Sequence, residues 1–261
     1  MPLSQPIPWD DVKRVTLWDY EQLHAKLATT AAFPLVRQYY ILPLDRSAAL
    51  AQAFFAEAPF LKGTYPSDVL NGIDQLHQAG LRDWQEYIQA TNTRAKLQSF
   101  LTDSPLTFDL CLALFHYLLR FGLPFVTPIR QILDDANPTE MAWYLPLKQH
   151  GINTTFHILQ QAATEQQRLA LANSLGLPQP AIAQLTHRAD ISRLPFVRRK
   201  TVLALCHAGI DTLTKLAQTE PTLAEQTMRA YHGQKWDALK RVIPMVTFSA
   251  WARAIPPVLE G

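Results

Sequence analysis

One phrase recurs along this chain: Leu-x-x-x-Gly followed by Leu or Ile. It reads Leu76-His77-Gln78-Ala79-Gly80-Leu81-Arg82-Asp83, then Leu147-Lys148-Gln149-His150-Gly151-Ile152-Asn153-Thr154, then Leu205-Cys206-His207-Ala208-Gly209-Ile210-Asp211-Thr212. Leu118-Leu119-Arg120-Phe121-Gly122-Leu123 is a weaker fourth copy. The phrase constrains the backbone strongly. A helix ends, and glycine takes the left-handed conformation just past its end, where a Cβ is disfavoured. The apolar residue after it folds back onto the last turn, the contact of a Schellman cap. Asp, Asn or Thr then caps a following short helix. An apolar pair closes each full copy: Tyr87-Ile88, Ile158-Leu159 and Leu216-Ala217. Each copy therefore encodes helix, tight turn and short helix, with Gly80, Gly122, Gly151 and Gly209 as structural turn glycines. They account for four of only nine glycines in 261 residues. The plain alternative for any single copy is an ordinary helix C-cap.

The rest of the chain agrees with an all-α fold of many short helices. No period-two run of β-branched residues bounded by turns is present. Proline, at 19 residues, fits helix starts, where it is tolerated best. Ser104-Pro105 and Thr127-Pro128 read as a cap followed by proline at the first helical position. Asn137 with Glu140, and Thr164 with Gln167, have the spacing of capping boxes. Helices are predicted over 46–58, 66–79, 105–121, 139–150, 165–174, 199–208 and 234–242. The polar stretch Asp134-Asp135-Ala136-Asn137-Pro138 marks a domain break, giving a helical domain over 1–135 and a second over 136–261. Residues 1–9 read as a proline-rich arm whose Trp9 docks on the body.

Composition limits the function classes. Hydrophobic residues make up 48% of the chain, enough for a sizeable core, and charged residues 18%, which argues against general disorder. A net charge of +2 is too small for nucleic-acid binding by the whole surface, so such a function needs a local patch. The start, Met1-Pro2-Leu3-Ser4-Gln5-Pro6, lacks the basic and apolar regions of a secretory signal. The apolar stretch 106–126 is interrupted by Asp109, His116 and Arg120, and the tail 242–259 by Pro244, Pro256 and Pro257. Neither reads as a membrane span. Cys111 and Cys206 read as free buried thiols, consistent with a cytoplasmic location.

Residues 190–205 run Asp-Ile-Ser-Arg-Leu-Pro-Phe-Val-Arg-Arg-Lys-Thr-Val-Leu-Ala-Leu. The stretch resembles a helix-hairpin-helix unit, with Leu194, Pro195, Val197, Lys200 and Thr201 on the pattern. Phe196 and Arg198 stand where the two hairpin glycines belong. Looser hairpins lie at Tyr231-His232-Gly233-Gln234-Lys235, ahead of Trp236 and Leu239, and at Leu175-Gly176-Leu177-Pro178. The matching phrases are Leu147…Gly151-Ile152…Leu159, Arg168…Leu171-Ala172…Leu175-Gly176-Leu177, Ala189-Asp190-Ile191…Arg193-Leu194-Pro195 and Ala208-Gly209-Ile210-Asp211-Thr212…Leu216-Ala217. Together these phrases make residues 141–221 resemble an uncharacterised bacterial domain family, domain of unknown function 4332. The resemblance implies tandem helix-hairpin-helix-like units in the C-terminal half. It implies no activity.

Helix-hairpin-helix units that bind DNA use hairpin glycines to bring backbone N–H groups to a phosphate. Phe196 and Arg198 count against that mode. A basic cluster of His187, Arg188, Arg193, Arg198, Arg199 and Lys200 around the hairpin counts for it, with Asp190 opposing. Arg193, Arg198, Arg199 and Lys200 are the candidate binding residues. The alternative is a solvated basic face paired with acids such as Glu220 and Glu225.

Chemistry-bearing patterns are missing from the sequence. It has no phosphate-binding loop and no nucleophile elbow. The histidines, at 24, 77, 116, 150, 157, 187, 207 and 232, form no metal-ligand pair at helical spacing, although His150 and His157 flank a turn. Cys206-His207 is sequential and splays apart on a helix. The aromatics Trp84, Tyr87, Trp143, Tyr144, Phe156, Trp236 and Trp251 fit core packing better than nucleotide stacking, and Tyr39-Tyr40 fits either. The expectation is a non-catalytic interaction or scaffold protein with no cofactor and no metal. Its partner is expected to be another protein. The alternative is sequence-nonspecific nucleic-acid binding through the hairpin at 193–200.

Overall fold

The computed structural model describes residues 6–58, 60–61, 63–233 and 243–259. The predicted helix over 234–242, with Trp236, lies outside the described residues. The described chain is all-α. It divides into two compact units, Met1–Pro124 and Phe125–Gly261. The acidic stretch at Asp134–Pro138 therefore lies inside the second unit rather than between the two, because its groups are engaged there: the Asp134 N–H donates to Glu140 and the Asp135 carboxylate takes Arg199.

Unit 1 contains α1 (Trp9–Thr16), α2 (Tyr20–Ala32), α3 (Pro34–Tyr39), α4 (Leu44–Ala56), α5 (Tyr65–Gln78), α6 (Trp84–Ala90), α7 (Arg94–Asp103) and α8 (Phe108–Tyr117). Helix α8 is its centre. Leu110, Cys111, Leu114, Phe115 and Tyr117 are all buried, and α1 and α5 pack on it. Trp9 docks as expected, 5.0 Å from the Tyr20 ring and 6.2 Å from Phe108. The predicted start at Ser104-Pro105 is displaced. Ser104 ends α7, and Thr107 caps α8 by accepting the Leu110 N–H at 3.3 Å.

Unit 2 contains a 3-10 turn (Ile129–Ile132), α9 (Pro138–Gln149), α10 (Thr155–Gln161), α11 (Glu165–Leu175), α12 (Gln179–Ile191), α13 (Arg199–His207), α14 (Leu213–Gln218), α15 (Pro221–His232) and α16 (Met245–Ala254). Helix α12 is its hub, packed by α10, α11, α13 and the 3-10 turn. Trp251 of α16 and Phe156 of α10 are fully buried. Each such side chain contributes roughly 1.5–3 kcal/mol of transfer free energy. Thr164 and Gln167 make the complete capping box of α11. Thr127-Pro128 does not cap a helix by its side chain: the Thr127 carbonyl accepts the Thr155 N–H at 2.9 Å instead.

The repeated phrase folds as its chemistry dictates in the three full copies. Gly80, Gly151 and Gly209 have φ of 82°, 76° and 77°. The following N–H reaches back to the helix: Leu81 to the Leu76 carbonyl (3.1 Å), Ile152 to Leu147 (2.9 Å) and Ile210 to Leu205 (3.0 Å). Asp83, Thr154 and Thr212 then cap α6, α10 and α14. Gly122 is a correction. It is not left-handed but closes a π-helical turn over Leu118–Gly122, where Leu123 donates to the Leu118 carbonyl. Glycine is needed there for space, since a Cβ would lie 2.8 Å from the Tyr117 ring.

The two units share a further device. In unit 1 the Leu44 N–H donates to the Arg82 carbonyl (3.0 Å), and Pro43 pairs as an antiparallel bridge with the cap residue Asp83. In unit 2 the Ile129 N–H donates to the Asn153 carbonyl (2.9 Å), and Pro128 pairs with the cap residue Thr154. A proline-led segment thus clasps the turn after Gly80 and the turn after Gly151 in the same way.

Candidate interaction surface

The segment from α12 to α13 carries the basic cluster. After Ile191 the chain turns through Ser192, Arg193, Leu194 and Pro195. Phe196 then adopts φ of 57°, the left-handed conformation that glycine takes at low cost. Its ring lies 6.2 Å from that of Trp251. Arg198, extended at φ −102°, starts α13 without a side-chain cap.

The cluster does not form one exposed basic face. Arg193 is 2% exposed: its Nε donates to Asp190 Oδ1 at 3.0 Å and its Nη1 to the Pro256 carbonyl at 2.9 Å. The other oxygen of Asp190 accepts the Leu213 N–H at 2.8 Å, so this pair ties α12 to the start of α14 and to the C-terminal tail. Arg188 is fully buried. It donates to both Glu140 oxygens and, at 3.0 Å, to the Ile132 carbonyl. Arg199 donates to Asp135 (2.7 Å) and to the Leu133 carbonyl. His187 pairs with Asp211 at 3.1 Å. Arg198 and Lys200 remain exposed. The acids are thus Glu140, Asp190, Asp135 and Asp211. Of the acids expected, Glu220 caps α15 and Glu225 pairs with Arg229. The Arg193 candidate is corrected to an internal pair held by Asp190 and the Pro256 carbonyl, and Arg199 is a half-buried group engaged by the Leu133 carbonyl and the exposed Asp135 carboxylate.

Electrostatics follows from burial. Desolvation pushes the Glu140 carboxyl up. Hydrogen bonds from Arg188, the Asp134 N–H and Gln184 outweigh it and hold the group below the ordinary carboxylate range. Glu140 therefore turns away from closing the capping box of Asn137, which still accepts the Thr139 and Glu140 N–H groups. Burial pushes the Cys206 thiol up to about 12, so it is protonated and unreactive at neutral pH. The His207 ring turns instead to Tyr231, 5.5 Å away. His150 and His157 each engage local backbone, at Pro146 and Asn153. Among the described residues no group of three or more His, Cys, Asp or Glu is placed to hold a metal ion.

The feature that sequence reasoning missed lies on α9. Met141-Ala142-Trp143-Tyr144-Leu145-Pro146 is an unbroken apolar run, yet not one of these residues is buried. Leu145 is 59% exposed. Within α9 only Glu140 and Leu147 are buried. Arg130 lies over the Tyr144 ring at 5.9 Å, and Lys148 is exposed on the last turn. Aligned on its terminal glycine, α9 matches α5 of unit 1. There Val69, Gly72, Ile73 and Leu76 are buried, and α8 crosses so closely that a Cβ on Gly72 would sit 2.9 Å from Leu114. The corresponding positions on α9 are Glu140, Trp143, Tyr144 and Leu147. Of these, Trp143 and Tyr144 are only half-buried. The available signal was the run itself: an apolar helix this continuous belongs either in a core or under a partner.

Residues 142–250 match the model of a family described as a domain of unknown function, DUF4332. The match begins in α9 and ends in α16, within unit 2. No curated protein and no solved structure matches the chain. No helix among the described residues is long and apolar enough to cross a membrane.

Proposed function

We propose that this chain is a non-catalytic interaction protein, built on degenerate helix-hairpin-helix units, that docks a partner protein on α9. The observation that carries this reading is the apolar run Met141–Pro146, of which no residue is buried and Leu145 is 59% exposed. Its counterpart α5 lies beneath α8, so the occupant inferred for α9 is an apolar helix supplied by the partner. Two aromatic rings and a methionine are the side chains that anchor protein interfaces. The hairpin supports the same reading. Phe196 fills by side chain the place where backbone would approach a phosphate, and its ring is spent on Trp251. Arg188 and Arg193 are spent on the buried acids Glu140 and Asp190, and Arg199 on Asp135.

A second reading is sequence-nonspecific nucleic-acid binding. It is favoured by the exposed Arg198 and Lys200 at the uncapped start of α13. Two phosphate contacts give a shallow salt dependence, with a log–log slope of about −1.8. The two readings separate in one pair of experiments. A photo-crosslinking residue at Leu145 is expected to trap a discrete partner protein, and the same residue at exposed Leu169 on α11 is not. Equal crosslinking from both positions, or none from Leu145, defeats the lead. A labelled duplex and a single-stranded RNA, titrated at about 50 and about 200 mM salt, are expected not to bind. Salt-sensitive binding abolished by Arg198→Glu/Lys200→Glu establishes the second reading instead.

A further inference from the structure

His24 is a buried ionisable group in a place that penalises its charged form far more than its neutral one. It lies on α2, 4% exposed, with its ring 4.6 Å from Tyr20 and edge-on to Phe115 at 5.1 Å. Neither ring nitrogen has a hydrogen-bond partner. A neutral imidazole asks for one donor and one acceptor, but its cation must give away two protons and carries a charge. Burying that cation without partners is far more costly than burying the neutral ring.

The surroundings offer the cation little. Helix α1 carries Trp9, packed on the Tyr20 ring, and the buried Val12, while Asp10 is exposed and Asp11 takes Arg14. Helix α3 carries Arg37, which donates to the Ala31 carbonyl. Helix α6 carries the buried Tyr87, and just past its end the Thr91 carbonyl takes the Tyr20 hydroxyl. From α8 come Phe115 and the Cys111 thiol, with Asp109 exposed and His116 half-buried. On α2 itself Glu21 favours the proton, but its carboxylate is drawn to Arg94 of α7, with Nε at 2.8 Å and Nη2 at 3.1 Å. Lys26 lies over the Trp18 ring.

We propose that His24 makes the fold of unit 1 acid-sensitive, supporting the packing of α2 while neutral and weakening unit 1 against unfolding in acid. Desolvation lowers the folded-state pKa of His24 from 6.5 to about 4, with Glu21 opposing weakly. As pH falls, the unfolded chain takes the proton first. The stability tied to His24 is therefore complete above the unfolded value of 6.5 and is lost progressively as pH falls toward about 4. Between about pH 7.5 and about pH 5 the unfolding constant of unit 1 rises by roughly 30-fold from this group alone. His116, also lowered by burial and then by Arg120, adds a slope that is common to wild type and His24 variants. His187 of unit 2 is lowered by burial against the pull of Asp211.

The test uses the full chain labelled with 5-fluorotryptophan and followed by 19F NMR through urea titrations at the two pH values. Trp84, 1% exposed, reports unit 1, and Trp251, 0% exposed, reports unit 2. In the wild type the unfolding constant read at Trp84 is expected to rise about 30-fold more than in His24→Phe and His24→Gln, with no such difference at Trp251. Phe keeps the ring, and Gln avoids overfilling the site if Phe does not fit. Identical pH dependence at Trp84 in the wild type and both variants overturns the proposal. So does a folded-state His24 imidazole that titrates near 6.5 in 1H NMR.

Discussion

Replacing Arg188 by Met tests whether the basic residues near the hairpin are structural. The guanidinium is 0% exposed and makes three hydrogen bonds, two to Glu140 and one to the Ile132 carbonyl. Arg188→Met keeps most of the volume and removes all three. The Glu140 carboxylate is then buried without its cation, a change that typically costs about 3–5 kcal/mol. The Asp134 N–H (2.8 Å) and Gln184 (3.2 Å) still donate to it, so the lower end, about 3 kcal/mol, is expected near pH 7. The cost must shrink in acid. Wild-type Glu140 is held below the ordinary 4.5, so the pair's contribution is present above that value and disappears as pH falls through the folded-state pKa. In Arg188→Met the carboxyl titrates higher and is already protonated at mildly acidic pH, which relieves the uncompensated charge. The double variant Arg188→Met/Glu140→Gln, which keeps an acceptor for Asp134, is expected within about 1 kcal/mol of wild type, recovering about 2–3 kcal/mol of the single variant's cost. Urea denaturation read at Trp251 measures all three proteins. A single-variant cost below about 1 kcal/mol, or a double variant as unstable as Arg188→Met, refutes the reasoning.

Further outcomes follow from other sites. Phe196→Gly relieves a left-handed backbone worth about 1–2 kcal/mol and gives up a half-buried ring on Trp251, so its melting temperature should stay close to wild type, while Phe196→Val, β-branched at positive φ, should melt well below it. Gly151→Ala should cost about 1 kcal/mol through backbone strain alone, since nothing lies within 4 Å of the added Cβ, whereas Gly122→Ala should cost about 1–3 kcal/mol by driving a Cβ into Tyr117; the same urea assay at Trp251 and at Trp84 distinguishes them. Cys111 is fully buried and its thiol is pushed up to about 12, so it should react with a thiol reagent only at the rate at which unit 1 opens; fast labelling in native buffer contradicts the burial.

Local chemistry was readable wherever one residue type satisfies the requirement. Glycine past a helix end, followed by Ile or Leu and a capping side chain, is fixed by sterics and hydrogen bonding within eight residues, so the turns at Gly80, Gly151 and Gly209 could be read directly. Gly122 carries the same letters but serves a different need, close approach to Tyr117, which depends on packing that a linear pattern does not hold. Helix α12 stayed hidden because its buried residues include Thr186, Arg188 and Asp190, which read as polar until their partners are known. For the same reason the basic cluster looked like a surface. Glu140 lies 48 residues from Arg188, and no local rule pairs them. The run on α9 was legible as letters but could not be placed, since an apolar helix reads the same in a core as under a partner.

The clasps at Pro43 and Pro128 bear on how this chain avoids unwanted association. Extended backbone pairs here only as isolated one-residue bridges among the described residues. Each bridge has proline on one side, with no N–H to offer, and a helix cap on the other, with a helix starting at once. The ladder has nowhere to grow. No row of open N–H and carbonyl groups is presented to a neighbouring strand, so the edge-to-edge pairing that drives β-aggregation finds no template there. A partner engaging these segments must do so through side chains rather than by adding a strand.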